Sequence, residues 1–346
     1  MSTPKFSIVI PVYNAAETIV QLISILKKFN NEEFEVLLIN DGSTDNTEQV
    51  IRDCIFEDFR FRLLNKVNEG PGFARNYGIE RANGDFLLFF DADDFPDINI
   101  LNDYSAIISK NPFVDLIISS FIFRTIDRDK IVDEKNYLVD GYTYQSNSEF
   151  LLDMYKLMNR QLLYVVWNKC YRRDVILRYG IRFEKYHSCE DRIFNLDYYK
   201  YCNQVVMNPK IEYIYEFESS QGITNKYKKD KFETFKEFYE RSNAITNNEH
   251  KDGMAALLLK GTTSVIFSIF ETNEITIQQK KNEIKNILKD DLVKEAKNIA
   301  ITDTLTKKIT KLLFNLPIPL VTFVFYLGSF IETKMPKVMA NIKRKY

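Results

Sequence analysis

The segment Gly84–Asp94 joins five consecutive apolar side chains, Phe86–Phe90, to three carboxylates at Asp91, Asp93 and Asp94. Like charges gathered at one place are costly unless a cation shares them. Asp91 and Asp93, one residue apart, offer the oxygen ligands that suit Mg²⁺ or Mn²⁺. An acidic loop opening the next helix, with one Asp as N-cap, would explain Asp94 or Asp97 but not all three. Asp41, in Asp41-Gly42-Ser43-Thr44-Asp45, could accept hydrogen bonds from a nucleotide base or ribose, or could be a turn Asp before a Gly. Gly70-Pro71-Gly72 forms a tight turn whose amides lie near a helix N-terminus, a natural anion site. Arg75, one turn into that helix, could reach a phosphate. A P-loop would need Gly-Lys-Ser/Thr, which this turn lacks.

These groups need elements to hold them. An apolar run bounded by turn residues predicts a strand buried on both faces, as in a parallel sheet, and ligands bind beyond the carboxyl ends of such strands. Phe6–Val12 reads as the first strand, with Pro11 stopping ladder pairing near its end. Asn14 is positioned to cap a helix whose apolar face is Ile19, Leu22, Ile23 and Leu26. Phe34–Asn40, a helix over about Asn46–Cys54, and Phe59–Leu64 continue the βαβ rhythm of a doubly wound α/β fold. Val114–Ser120 is a further strand, Phe121–Tyr144 a hairpin or loop, Asn147–Met158 a helix, and Val205–Met207 and Glu212–Phe217 short edge strands.

Four blocks occur in one order: Ser7-Ile8-Val9-Ile10-Pro11-Val12-Tyr13-Asn14; Asn40-Asp41-Gly42-Ser43-Thr44-Asp45; Asn68-Glu69-Gly70 with Ala74-Arg75-Asn76; and Phe90-Asp91-Ala92-Asp93-Asp94. Together they resemble family 2 glycosyltransferases of the bacterial surface-polysaccharide type, over about the first hundred residues. The resemblance implies a GT-A fold, a Rossmann-like and mostly parallel sheet flanked by helices. It also implies inverting transfer of a sugar from a nucleotide-sugar, UDP-linked, with Mn²⁺ or Mg²⁺. Carried over by position, Pro11, Tyr13, Glu17, Asp41, Gly70, Arg75, Asp91 and Ala92 would line the nucleotide-sugar site. Asp93 and Asp91 would be the metal pair.

Further along, Trp167-Asn168-Lys169 and Glu190-Asp191 resemble strings found in many family members. The first implies an acceptor-side position, although a lone tryptophan also serves as a structural anchor. The second implies Asp191 as general base with Glu190 in support. Such a carboxylate could take the proton of an acceptor hydroxyl in the transition state. It could equally be a first-turn acid complementing a helix dipole. His187 reads as a surface residue. Relatives often carry a basic residue before Ser-Ile-Thr; here Gly222-Ile223-Thr224 stands without the arginine, leaving Lys226, Lys228 or Lys229 as substitutes.

Lysine and arginine total 47 against 48 acidic residues in 346, a net charge of −1 that does not suggest a nucleic-acid partner. Cys54, Cys170, Cys189 and Cys202 show no paired or zinc spacing and read as thiols in a reducing compartment. The first strand begins by Phe6, which implies no signal peptide and a cytoplasmic catalytic part.

The expected domains are 1–225, catalytic; 226–302, helical, with periodic stretches Phe232–Thr246, Met254–Phe270 and Ile275–Ile299; and 303–346. Within the last, Leu312–Ile331 is uncharged over 20 positions but broken by Pro317 and Pro319, with Lys307, Lys308 and Lys311 before it and Lys334, Lys337, Lys343, Arg344 and Lys345 after. This pattern fits a monotopic anchor on an anionic inner leaflet, placing the protein at the inner face of the cell membrane near a lipid-linked saccharide acceptor. A core or homodimer-forming helix pair is the alternative. A catalytically silent nucleotide-sugar-binding scaffold subunit has only the missing arginine in its favour.

Overall fold

Strand β1 (Phe6–Val12) is followed by α1 (Ile19–Lys27), β2 (Phe34–Asp41), α2 (Thr47–Ile55), β3 (Phe61–Lys66), α3 (Pro71–Arg81) and β4 (Phe86–Phe89). The structure is a computed structural model that describes residues 4–128, 130–186, 189–218 and 227–334. β1 pairs in parallel with β2 on one side and β4 on the other, and β2 pairs in parallel with β3. Every residue of β2 and of β4 is buried, as continuous apolar runs require. Pro11 acts on one side only. Successive residues of a strand aim their backbone groups alternately left and right. Val9 accepts from Phe90 on the β4 side, and pairing there ends at Val9, while the β2 ladder runs on through Pro11 to Val12.

The chain continues through β5 (Phe95–Pro96), α4 (Ile100–Lys110), β6 (Val114–Asp127), β7 (Lys130–Tyr137), β8 (Tyr142–Tyr144), α5 (Asn147–Asn159), β9 (Lys169–Arg172), α6 (Arg173–Tyr179), α7 (Glu190–Tyr199) and β10 (Gln204–Glu218). Antiparallel β9 sits between β4 and β6, and β10 runs parallel to β6, giving the order β3-β2-β1-β4-β9-β6-β10-β5. β7 closes the predicted hairpin on β6. The two short strands expected after Val205 are one long strand, β10, whose register shifts around Asn208–Tyr213 carry it past Pro209 without a break. β3 begins two residues later than expected, since Phe59 is 89 % exposed and cannot start a buried strand. Gly84 is required by contact: a Cβ there would lie 2.6 Å from the backbone of Phe6 and Ser7.

Two compact units result, Met1–Lys185 with Glu190–Gly222, and Tyr186–Cys189 with Ile223–Tyr346. The division falls three residues before the expected 225/226 boundary, and none falls at 302/303. The second unit holds α8 (Lys231–Ile245), α9 (Lys251–Glu271), α10 (Ile277–Lys289), α11 (Asp291–Ile299), α12 (Leu305–Asn315) and α13 (Ile318–Lys334). Among the described residues, α9 is the one helix long and apolar enough to cross a membrane. Its Met254, Leu258, Leu259, Val265, Ile266 and Ile269 are instead the buried centre on which α8 and α10 to α13 pack. The helical run expected over Ile275–Ile299 breaks at Asp290, whose side chain accepts from Leu292 N–H and starts α11. Pro317 separates α12 from α13, as its missing donor demands.

Candidate active site

The candidate residues collect at the carboxyl ends of β1, β2 and β4. Asp41 is 2 % exposed, and its carboxylate accepts from Glu69 N–H (3.1 Å), Gly70 N–H (2.7 Å) and Lys66 Nζ (2.7 Å). The anion on the Gly70 turn is therefore Asp41 itself, and Gly70 reaches the necessary φ of 97° without strain. Asn14 does not cap α1. It sits at φ 48°, its Oδ1 accepts from Thr44 N–H (2.8 Å), and its own N–H donates to Ser43 Oγ (3.0 Å), so the loops after β1 and β2 are stitched together. Pro11 and Ala92 are half-buried beside these loops, while Tyr13 and Glu17 stay exposed on the rim.

Arg75 carries the assembly. Rising from α3, its guanidinium is 5 % exposed and bonds Asp91 (2.7 Å), Asp191 (3.1 Å) and Glu190 (3.5 Å). It lies over the ring of Phe183, which stacks on Phe194 at 4.0 Å. Asn76, the next residue, fixes Phe183 by donating to its carbonyl (2.8 Å) and accepting from its N–H (2.9 Å). One guanidinium thus ties the loop after β4 to the first turn of α7, more than 90 residues downstream. Its proton is held firmly, because three carboxylates outweigh the cost of burial. These three carboxylates are the partners that hold the guanidinium. Asp191 is the converse case. Burial, with the charges of Glu190 and Asp91, lifts its carboxyl to about 7 in spite of Arg75. Glu190 and Asp191 do open α7, so dipole complementation and the pairing with Arg75 coexist.

Asp93 is exposed at the tip of its loop, and Asp91 is partly exposed. Asp94 is not a helix cap. It is 1 % exposed, its Oδ2 accepts from Tyr213 Oη (2.8 Å), and its Oδ1 is buried without a partner. Burial and the neighbouring Asp91 and Asp93 push its carboxyl well above the usual range. An uncompensated carboxylate oxygen next to two more carboxylates fits a cation held close by. Among the described residues no three acidic, histidine or cysteine side chains converge on one metal position. A pair of carboxylates, with substrate phosphates and water completing the shell, would suffice for Mg²⁺.

The acceptor-side trio is placed differently from expectation. Asn168 and Lys169 are buried at 0 % exposure; Asn168 Nδ2 donates to the Ser119 carbonyl (3.1 Å), and Lys169 Nζ to the Leu162 carbonyl (3.2 Å) and Asn168 Oδ1 (2.7 Å). Neither can touch an acceptor. Trp167 is an anchor: it stacks on Tyr213 (4.8 Å) and Tyr215 (5.4 Å) and meets Phe121 edge-on. Tyr213, which sequence reasoning missed, accepts from Asp91 N–H (3.3 Å) while donating to Asp94. Nothing in its local sequence marks it, because both partners lie over a hundred residues upstream. His187, Gly222-Ile223-Thr224 and Lys226 lie outside the described residues; Lys228 and Lys229 belong to the second unit.

The chain is similar to known glycosyltransferases in sequence and in fold. The chain is 28 % identical over 257 residues to EpsH of Bacillus subtilis (strain 168), named as a glycosyltransferase, covering 72 % of each chain. It is 29 % identical over 294 residues to the poly(ribitol-phosphate) beta-N-acetylglucosaminyltransferase TarS of Staphylococcus aureus (strain Mu50 / ATCC 700699), covering 81 % of this chain and 47 % of TarS. The crystal structure of S. aureus TarS 1-349 in complex with UDP-GlcNAc shares the GT-A fold at a TM-score of 0.64 and 20 % identity, over 96 % of this chain and 92 % of that one. Residues 7–180 match the family described as Glycosyl transferase family 2, and the chain belongs to that family.

Proposed function

We propose that this protein is an inverting glycosyltransferase that moves a sugar from a UDP-sugar to a saccharide hydroxyl. The observation that carries the reading is the Arg75 bridge, which brings the Asp91 loop and the half-buried Asp191 carboxyl, pushed up to about 7, into one site. The UDP moiety is supported by TarS, whose crystal structure holds UDP-GlcNAc. Asp91 and Asp93 would hold Mn²⁺ or Mg²⁺, which when bound supplies positive charge against the departing diphosphate. Asp191 takes the acceptor's hydroxyl proton as that oxygen bonds to the anomeric carbon; the bond from that carbon to the diphosphate breaks, and UDP leaves with the electron pair. Attack from the opposite face turns an α-linked donor into a β-linked product. Glu190 shares Arg75 with Asp191 and so sets how strongly the base is held.

A lipid-linked acceptor in surface-polysaccharide assembly at the inner membrane face is the finer reading, supported by the uncharged run Leu312–Ile331 between lysines. Turnover of a UDP- and GDP-sugar panel with Mn²⁺, in wild type, Asp93→Ala and Asp191→Asn, tests the core reaction. One UDP-sugar should turn over and fail in both variants, with UDP binding kept in Asp191→Asn. Tight UDP binding without turnover, even with a crude lipid acceptor, would instead indicate a scaffold.

A further inference from the structure

The last two described helices are built the wrong way round for a protein surface in water. A surface helix buries its apolar stripe and exposes polar residues opposite it. On α12 the buried positions are Thr310 and Phe314, while Leu305, Ile309 and Leu312, at i, i+4 and i+7, are 72 %, 53 % and 67 % exposed. The lysines flank that outward stripe: Lys308 is exposed, Lys307 pairs with Asp303, and Lys311 Nζ donates to the Ala300 carbonyl (2.8 Å). α13 is apolar around its circumference. It buries Val321, Phe325 and Ser329, with Phe325 edge-on to Phe267 of α9 at 5.3 Å, and turns Leu320, Phe323, Val324, Tyr326 and Leu327 outward. Between Asp303 and Glu332 the sequence has no acidic residue, and beyond Glu332 it adds five more basic ones and no acid.

We infer that α12 and α13 form an in-plane docking face for an anionic lipid surface. Side chains from Leu305 to Leu327 would enter the headgroup–acyl boundary, with Lys308 and its neighbours at the phosphate level. Charge complementarity selects this occupant. A second copy of the chain would bring the same lysines against themselves, whereas an anionic leaflet attracts each of them. The arrangement also explains why an uncharged run carries a proline pair. An in-plane helix pair tolerates the break that a spanning helix would not. The inference does not depend on the sugar-transfer reading, since vesicle binding needs no turnover.

Full-length protein is sedimented with vesicles of phosphatidylcholine alone and of phosphatidylcholine with phosphatidylglycerol. Wild type should pellet with the anionic vesicles and bind neutral ones at least tenfold more weakly. Leu312→Glu/Phe323→Glu should lose binding to both with an unchanged melting temperature, because both side chains are already exposed. Lys308→Gln, which leaves the apolar face intact, should weaken anionic binding several-fold and leave neutral binding alone. Wild type remaining in the supernatant overturns the proposal, as do variants that bind equally well. So does a lipid-free dimer, seen by light scattering, that Leu312→Glu/Phe323→Glu dissociates.

Discussion

At the scale of single residues, Asp191 and Arg75 form a balance that pH can read. The base works only when ionised, and its carboxyl is raised to about 7. Turnover should therefore fall about tenfold per pH unit below 7 and level off above it. Arg75→Gln removes the cation that opposes burial, so the rising limb of the pH–rate profile should move to higher pH under saturating donor. The same change leaves three carboxylates facing one another and should cost up to about 3 kcal/mol in urea unfolding, the low end for a broken buried pair because the carboxylates keep partial exposure. Asp191→Asn should lower turnover about 10²–10⁴-fold with donor affinity unchanged by calorimetry. Asp91, Asp93 and Asp191 stand out as candidates in the sequence because a carboxylate's chemistry travels with its type and local spacing. Arg75's partners do not, since a glycine turn nearby suggests phosphate while Asp191 lies 116 positions away.

At the scale of elements, β10 steadies the Asp91–Asp94 loop. Tyr213 bonds both Asp91 N–H and Asp94, and Trp167 packs against its ring. Tyr213→Phe should lower stability by about 1–3 kcal/mol, because two buried groups lose their partner. It should weaken UDP binding in the presence of Mn²⁺ more than in its absence, since the loop it holds carries Asp91 and Asp93. Lys169→Met, which removes the donor to buried Asn168 Oδ1 and one of the two donors to the Leu162 carbonyl, should destabilise by a similar amount and leave the acceptor KM unmoved. A raised KM would restore a direct acceptor contact. Buried strands were readable from apolar runs, as β1 and β2 show. The merging of two short strands into β10 was not, because a bulge around Pro209 looks locally like an end. Lys169 misled because lysine is rarely buried, and only tertiary packing shows that the Leu162 carbonyl and Asn168 hold it.

At the scale of the whole molecule, ligand and fold are linked by mass action. UDP with Mn²⁺ at a hundredfold excess over Kd should raise stability by about 2.7 kcal/mol, visible as a thermal shift that chelation or Asp93→Ala abolishes. The division near residue 222 was legible as a change from mixed α/β patterning to helical periodicity. The packing of α12 and α13 on the helices before them was not, because nothing local shows that Phe325 meets Phe267 of α9. The carboxylate cluster also imposes a sequence of events. Asp91, Glu190 and Asp191 pair with the guanidinium of Arg75, and Asp93 and Asp94 follow Asp91 in the same loop, so a bare nucleotide diphosphate would approach a site rich in carboxylates. With the proposed cation at Asp91 and Asp93, this distribution would favour cation first, or cation and nucleotide together, and would tie the off-rate of spent UDP to the departure of that cation.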